Sequence, residues 1–349
     1  MEKFDQSCAT RTVLAATMVL AFGLAGGMSA HAQDVTVGLV TKTETNPFFV
    51  TMRNAARAKA DELGVGFKSC AGGFDTDNEG QATCIENLIA AGVTGILLTP
   101  GVPDAIVPTI ERAQARGVPV IALDTQTNPS DAADATFATD NFQAGLFIGQ
   151  WAAAAMGDAA ADAVVGFLDV SSGLQITTEV QRNQGFMTGF GIDPVDNTFI
   201  GDENDSRIAG FAETQGSQDM GRTAMENLMA ANPNINVIYT INEPAAAGAF
   251  EAIKAAGRAG EILIVSVDGG CPGVQNVADG VIGATSMQFP LRMAEQGVQA
   301  IVDFAATGKL PAPSEGLEFT NTGVVLITDQ PVEGIESQNT TWGLENCWG

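Results

Sequence analysis

Histidine is almost absent from this chain: its 349 residues include one, His31. That one is expected to leave with a secretory signal peptide covering residues 1–32. Lys3 and Arg11 lie in a polar start, Val13 to Met28 is apolar and rich in Gly and Ala, and Ala30-His31-Ala32 offers an A-x-A cleavage site. A mature chain beginning near Gln33 then has no histidine. It can build neither a Ser-His-Asp or Cys-His catalytic set nor a His-ligated zinc or copper site. No metal and no cofactor is expected. A membrane anchor is not expected either, because the leader's apolar run falls short of a full span and no comparable run follows. Cys8 precedes that run rather than ending it, which argues against a lipoprotein site.

Basic residues are scarce as well, with 16 Lys and Arg against 41 Asp and Glu, for a net charge of −25. The acids and bases of the leader cancel (Glu2 and Asp5 against Lys3 and Arg11), so the mature chain keeps the whole imbalance. So acidic a surface argues against nucleic acid or an anionic membrane as partner. Nucleotide-binding glycine motifs are missing too. The first strand-to-helix turn reads T-K-T-E-T-N-P-F-F where a dinucleotide fold needs G-x-G-x-x-G, and no P-loop occurs anywhere.

Four cysteines follow the leader: Cys70, Cys84, Cys271 and Cys347. An even number in an exported chain suggests disulfides, with three connectivities open. A Cys70–Cys84 bond would close a short local loop, and a Cys271–Cys347 bond would tie the tail to the body; the alternative is four buried thiols. At least the second bond is expected, since a tail so near its end otherwise frays.

What is present is a repeated alternation. Val35–Thr41, Gly66–Ser69, Gly95–Leu98, Val118–Leu123 and Thr136–Ala138 read as strands, with Pro47–Leu63, Glu79–Ala91 and Asp104–Arg116 as helices between them. Continuous apolar strands separated by helices predict a parallel sheet covered on both faces. After Asp140 the pattern restarts. "ENLIAAGVTGILLTP" (86–100) is echoed by "ENLMAANPNINVIYTI" (226–241), and "VIALD" ending at Asp124 by "IVSVD" ending at Asp268. Two copies of one α/β unit, hence two similar lobes, account for this.

Ligands of open α/β sheets bind beyond the carboxyl ends of the strands. Here those ends are polar: Lys42 and Asn46, then Asp124, Asn242, Asp268 and Gln288. Asn46 suits an N-cap and Pro47 a first helical position. Phe49, Met52 and Ala56 form one stripe for the sheet. Phe48 lies about 100° around the helix, as a staple on a neighbouring loop or as a cleft wall. An aromatic wall beside Asp, Asn, Arg and Gln suits a monosaccharide, whose ring has apolar C–H faces and whose hydroxyls both donate and accept.

"TKTETNPFF", "VIALDT", "QRNQGF", "INEPAAAGA", "VSVDGG" and "GATSMQFP", in this order and spacing, resemble the ribose-type periplasmic sugar-binding proteins of bacterial ABC importers. The resemblance covers essentially the whole mature chain, and "NPFF", "FATDNFQAG", "SVDGGCPGV" and "LENCWG" are similar to the fructose-binding members. It implies a type I fold: two doubly wound lobes joined by three hinge crossings near residues 140, 288 and 322. The lobes would comprise 33–140 plus 289–321, and 141–288 plus 322–349. It also implies a periplasmic, monomeric receptor that performs no chemical step. Such a receptor would close on a monosaccharide, D-fructose first and ribose, mannose or another small sugar as the alternative. It would deliver the sugar to a membrane permease, and a role in chemotaxis is compatible. The implied contacts are Lys42, Asn46, Phe48, Phe49 and Asp124 from the first lobe, Arg182, Asn242 and Asp268 from the second, and Gln288 at a hinge. Ribose-binding relatives add an aromatic from the second lobe, for which Phe211 is the candidate here.

Other features are set aside. "DTDNEGQATCIE" (75–86) nearly matches a calcium loop but reads better as a polar loop capping the next helix. Asp140-Asn141 reads as the start of a lobe crossing. Glu179 could pair with Arg182 at the surface. Asp124 and Asp268 could be mistaken for a glycosidase pair, yet both are explained as hydroxyl acceptors. A repressor core would need a helix-turn-helix, which is missing.

Overall fold

The computed structural model describes residues 35–171 and 173–349. The expected signal peptide, with His31 and Cys8, lies outside the described residues.

The first half alternates as the sequence predicts: β1 (Thr36–Thr41), α1 (Pro47–Leu63), β2 (Gly66–Ala71), α2 (Asn78–Ala90), β3 (Gly95–Leu98), α3 (Val107–Gln114), β4 (Val120–Leu123) and β5 (Ala135–Ala138). The second half follows with α4 (Asn141–Met156), β6 (Val165–Asp169), α5 (Thr177–Phe190), β7 (Ile208–Glu213), α6 (Gln218–Ala231) and β8 (Val237–Thr240). It continues through α7 (Glu243–Ala255), β9 (Leu263–Asp268), α8 (Cys271–Ala278) and β10 (Ala284–Met287). The chain ends with α9 (Pro290–Thr307), β11 (Thr320–Asn321), β12 (Val325–Ile327) and α10 (Thr340–Asn346). α3 starts later than predicted, because residues 102–106 form a turn closed by Ile106 N–H donating to the Val102 carbonyl.

Two six-stranded sheets result, ordered β11-β5-β4-β3-β1-β2 and β12-β10-β9-β8-β6-β7. The orders correspond strand for strand, which is the duplication seen in the sequence. Gly117 and Gly257, 140 positions apart, both take left-handed φ values, 76° and 73°, just past equivalent helices. The sheets are parallel except at one edge, where β12 runs antiparallel to β10. The chain passes between the sheets after β5, after β10 and between β11 and β12.

α1 and α9 cover one face of the first sheet through Met52, Ala56, Met293 and Val298. α4 and α5 cover the second through Ile148, Trp151, Phe186 and Met187. Each large side chain buried in this way contributes on the order of 1.5–3 kcal/mol. The α4–α5 contact is unusually close because it is lined with glycine. A Cβ at Gly145 would fall 2.0 Å from the Arg182 carbonyl oxygen, and one at Gly185 2.1 Å from that of Phe142. Both cysteine pairs are bonded, Cys70 to Cys84 and Cys271 to Cys347.

Candidate functional site

The carboxyl ends of the two sheets face one another, and their loops are joined by direct hydrogen bonds. The Thr178 hydroxyl on α5 donates to the Thr125 hydroxyl at 2.7 Å, and Thr177 donates to the Gln126 carbonyl at 2.7 Å. The Arg182 Nη2 lies 3.7 Å from Asp124 Oδ1 across the same gap, with both side chains almost wholly buried.

Between the loops is a cavity lined by Lys42, Asn46, Phe48, Phe49, Asp124, Arg182, Asn242, Asp268 and Gln288. These are the nine residues singled out from the sequence. The α1 start explains the aromatic pair. The Asn46 carboxamide oxygen accepts the Phe48 N–H at 3.0 Å and Pro47 opens the helix. Phe48 and Phe49 then meet edge to face, their centroids 5.4 Å apart, so both rings reach the cavity wall.

On the second-lobe side, Arg182 is held on all sides. Its Nε donates to Asn141 Oδ1 at 2.8 Å, Nη1 to the Ile241 carbonyl at 2.9 Å, and Nη2 to Gln288 Oε1 at 2.9 Å. Gln288 Nε2 donates in turn to Asp268 Oδ1 at 3.0 Å, and Asp268 Oδ2 accepts the Glu243 N–H at 3.2 Å. Asn242 is spent largely on structure: its Oδ1 caps α7 at Ala245 N–H and its Nδ2 donates to the Gly216 carbonyl, both at 3.0 Å. Burial pushes the Asp268 carboxyl well above the usual carboxylate range, and Arg182 pulls it back down. Glu243 behind it is also raised, first by burial and then by Asp268. Both strand-end aspartates have positive φ, 64° at Asp124 and 151° at Asp268. That backbone is costly for a residue other than glycine and concentrates at functional positions.

The first-lobe side is different. Among the described residues, no hydrogen bond reaches the Lys42 ammonium, which lies 5.8 Å from the Phe49 ring centre. Asp124 accepts one hydrogen bond, from the Thr125 hydroxyl at 2.8 Å. Lys42 is left to meet ligand hydroxyls, and Asp124 keeps acceptor capacity beyond its bond from Thr125 and its ion pair with Arg182.

Sequence reasoning passed over several residues here. Glu179 does not pair with Arg182 at the surface. It is fully buried, lines the cavity, and its Oε1 accepts the backbone N–H groups of Val170 and Ser171. Burial, reinforced by Asp169, raises its carboxyl well above the ordinary range. Asn141 is more than the start of a crossing, since it orients Arg182. Phe211 stays out of the cavity and stacks on Phe167 at 4.9 Å; the second lobe supplies Val170, Ile176 and Ile241 instead. Within the calcium-like loop, Asp77 does cap α2, accepting from Gly80 N–H at 2.9 Å. Asp75, however, is buried and lines the cavity. Applying the strand-exit rule to β2 would have found it. Finally, Trp348 packs edge to face on Phe48 at 5.3 Å and donates its indole N–H to the Gln288 carbonyl at 3.0 Å. Its neighbour Cys347 was the signal.

A model of the periplasmic binding protein domain matches residues 37–310. The ribose import binding protein of Haemophilus influenzae is 32% identical over 288 residues, 82% of this chain and 91% of that protein. The D-ribose/D-allose-binding protein of Pseudomonas aeruginosa is 26% identical, over 93% of this chain and 97% of that one. Among solved structures, an ABC transporter solute-binding protein of Actinobacillus succinogenes with bound D-allose aligns with TM-score 0.71 and 24% identity, covering 84% and 97% of the two chains. The fructose-binding periplasmic domain of a hybrid two-component system also aligns with TM-score 0.71, at 23% identity over 84% and 91%. At these identities the structural matches speak for the fold.

Proposed function

This chain belongs to the periplasmic binding protein family, and we propose that it holds one monosaccharide, D-fructose, between its lobes and delivers it to the membrane permease of an ABC importer. The observation that carries this reading is the convergence of strand-end side chains from both halves on one cavity. Like its ribose- and allose-binding relatives, it is a substrate-binding protein and not an enzyme. The signal peptide and the periplasmic address fit that role, and the receptor acts as a monomer.

The chemistry supports a sugar. Phe48 and Phe49 offer apolar faces to ring C–H groups, while Val170, Ile176 and Ile241 close the opposite side. Asp124, Asp268 and Arg182 supply acceptors and a planar donor fork, and Lys42 adds a compact cation. Closure about the three crossings brings Lys42 and Asp124 against the Arg182–Gln288–Asp268 network, which completes the ligand's hydrogen bonds, and the permease recognises the closed form. Fructose is favoured by the "NPFF", "SVDGGCPGV" and "LENCWG" segments. Ribose or allose is the second reading, favoured by the names of the curated relatives.

Calorimetry with fructose, ribose, allose, mannose and glucose tests this. Fructose is expected to bind tightest and to be recovered chemically unchanged. Tighter ribose or allose binding would favour the second reading, and no binding to any of the five would reject the site.

A further inference from the structure

Asp75 borders two adjoining spaces. One is the cavity and the other a recess of about 680 Å³, and Asn46, Asp75 and Asp268 line both. The outer walls are mainly carbon, from Pro47, Phe74, Pro244 and Pro272. A ring seated against the phenylalanines has room to direct one exocyclic arm past Asp75 into the recess.

Two independent features point to a ligand for this carboxylate. Asp75 is 7% exposed, yet among the described residues no hydrogen bond reaches its side-chain oxygens. Its oxygens are not sealed off and face the recess, and a ligand hydroxyl would supply the donor that the protein does not. The second lobe, meanwhile, leaves room for it. Gly216, with φ 64°, faces Asp75 so closely that a Cβ there would lie 2.8 Å from Asp75 Oδ2. Asn242 holds that glycine in place through its carbonyl.

Resting on the sugar-receptor reading above, we propose that Asp75 determines specificity by accepting a hydroxyl from a hydroxymethyl arm of the ligand. In either ring size, a ketohexose carries one such arm more than an aldopentose. Asp75 therefore separates hexose-sized ligands from pentoses, while the groups around Arg182 hold the ring that both share. Its surroundings suit that role, since burial pushes the Asp75 carboxyl up to about 6, Lys42 draws it down and Asp124 lifts it further. The charged form already prevails at neutral pH, and a hydroxyl donor favours it further.

The test measures binding of D-fructose, 1-deoxy-D-fructose, 6-deoxy-D-fructose and D-ribose to the wild type, Asp75→Asn and Asp75→Ala, with thermal melts to establish folding. In the wild type, the deoxy sugar lacking the arm's hydroxyl is expected to bind at least tenfold more weakly than fructose; 6-deoxy-D-fructose reports on an arm only for the furanose, because O6 closes the pyranose ring. In both variants that difference should vanish and fructose affinity should fall at least tenfold, with ribose affinity within twofold of wild type. An equal loss for all four sugars would make Asp75 a structural residue and overturn the proposal, as would unchanged fructose affinity. Failure of the wild type to bind any of the sugars would instead bring down the receptor reading on which the proposal rests.

Discussion

The two halves of the cavity wall are built in opposite ways. On the second-lobe side Arg182, Gln288 and Asp268 hold one another in a continuous hydrogen-bonded chain anchored on Asn141, the Ile241 carbonyl and the Glu243 N–H. On the first-lobe side Lys42 and Asp75 reach the cavity with no such partners among the described residues. One half is organised before a ligand arrives; the other is completed by it. A preorganised wall costs little to bind against, whereas an uncompensated one stores free energy that only the right ligand recovers.

The comparison can be broken most forcefully at Arg182. Arg182→Ala leaves Gln288, Asn141, the Ile241 carbonyl and Asp124 without their shared partner. It should lower stability by about 3–5 kcal/mol and sugar affinity by about a hundredfold or more, read by denaturant melts and calorimetry. Arg182→Lys should recover little, because an ammonium cannot reproduce the three-sided fork.

The disulfides separate the halves next. Cys271–Cys347 spans 76 positions and Cys70–Cys84 spans 14. Removing them should cost about 4 and about 3 kcal/mol respectively, by loop entropy. The first removal should also weaken sugar binding, because it frees Trp348 from behind Phe48. Unchanged affinity would mean that the indole does not support the aromatic wall.

Comparing Asp75→Asn with the wild type across pH isolates one group of the uncompensated side, since Asp268, Glu243 and Glu179 are raised in both proteins. The Asp75 pKa is raised from 3.8 to about 6, so between those values the folded chain retains a proton that the unfolded chain releases. Stability of the ligand-free protein is therefore greatest on this account below about pH 4 and falls by about 3 kcal/mol as pH rises through 6. Asp75→Asn removes that loss. Its melting temperature should exceed that of the wild type at neutral pH and approach it near about pH 4, and a constant difference would contradict the assignment.

The smallest effect is the most discriminating. Lys42→Met removes a buried cation that has no hydrogen bond, so stability should hold or rise by about 1 kcal/mol while sugar affinity falls about tenfold. A variant that lost stability instead would place Lys42 with the preorganised side.

Periodicity made much of this legible. The bounds predicted for α1 (47–63) and β3 (95–98) agree with the structure, because each has a clean apolar pattern with a strong stop at Gly64 or in "TPG". The site residues could be found because a strand end in an open α/β sheet has one address, and a polar residue there stands out against an apolar strand. Glu179 was hidden for the opposite reason. It lies within a helix, where a surface acid and a buried one look alike, and its partners at Val170 and Ser171 are backbone groups with no sequence signature. Trp348 was hidden by distance, since its contact with Phe48 joins the two ends of the chain.

By itself, the sequence determined the duplicated α/β pattern, the acidic composition with no histidine after His31, and the identity of the groups at the strand exits. Those follow from local periodicity and composition, which act over a few residues. Which exits are satisfied by the protein and which stay open for a ligand was decided only by the tertiary structure. Hydrogen-bond satisfaction of a buried group depends on neighbours such as Asn141 and Gln288, brought from 41 and 106 positions away to one arginine, and no local pattern encodes that meeting.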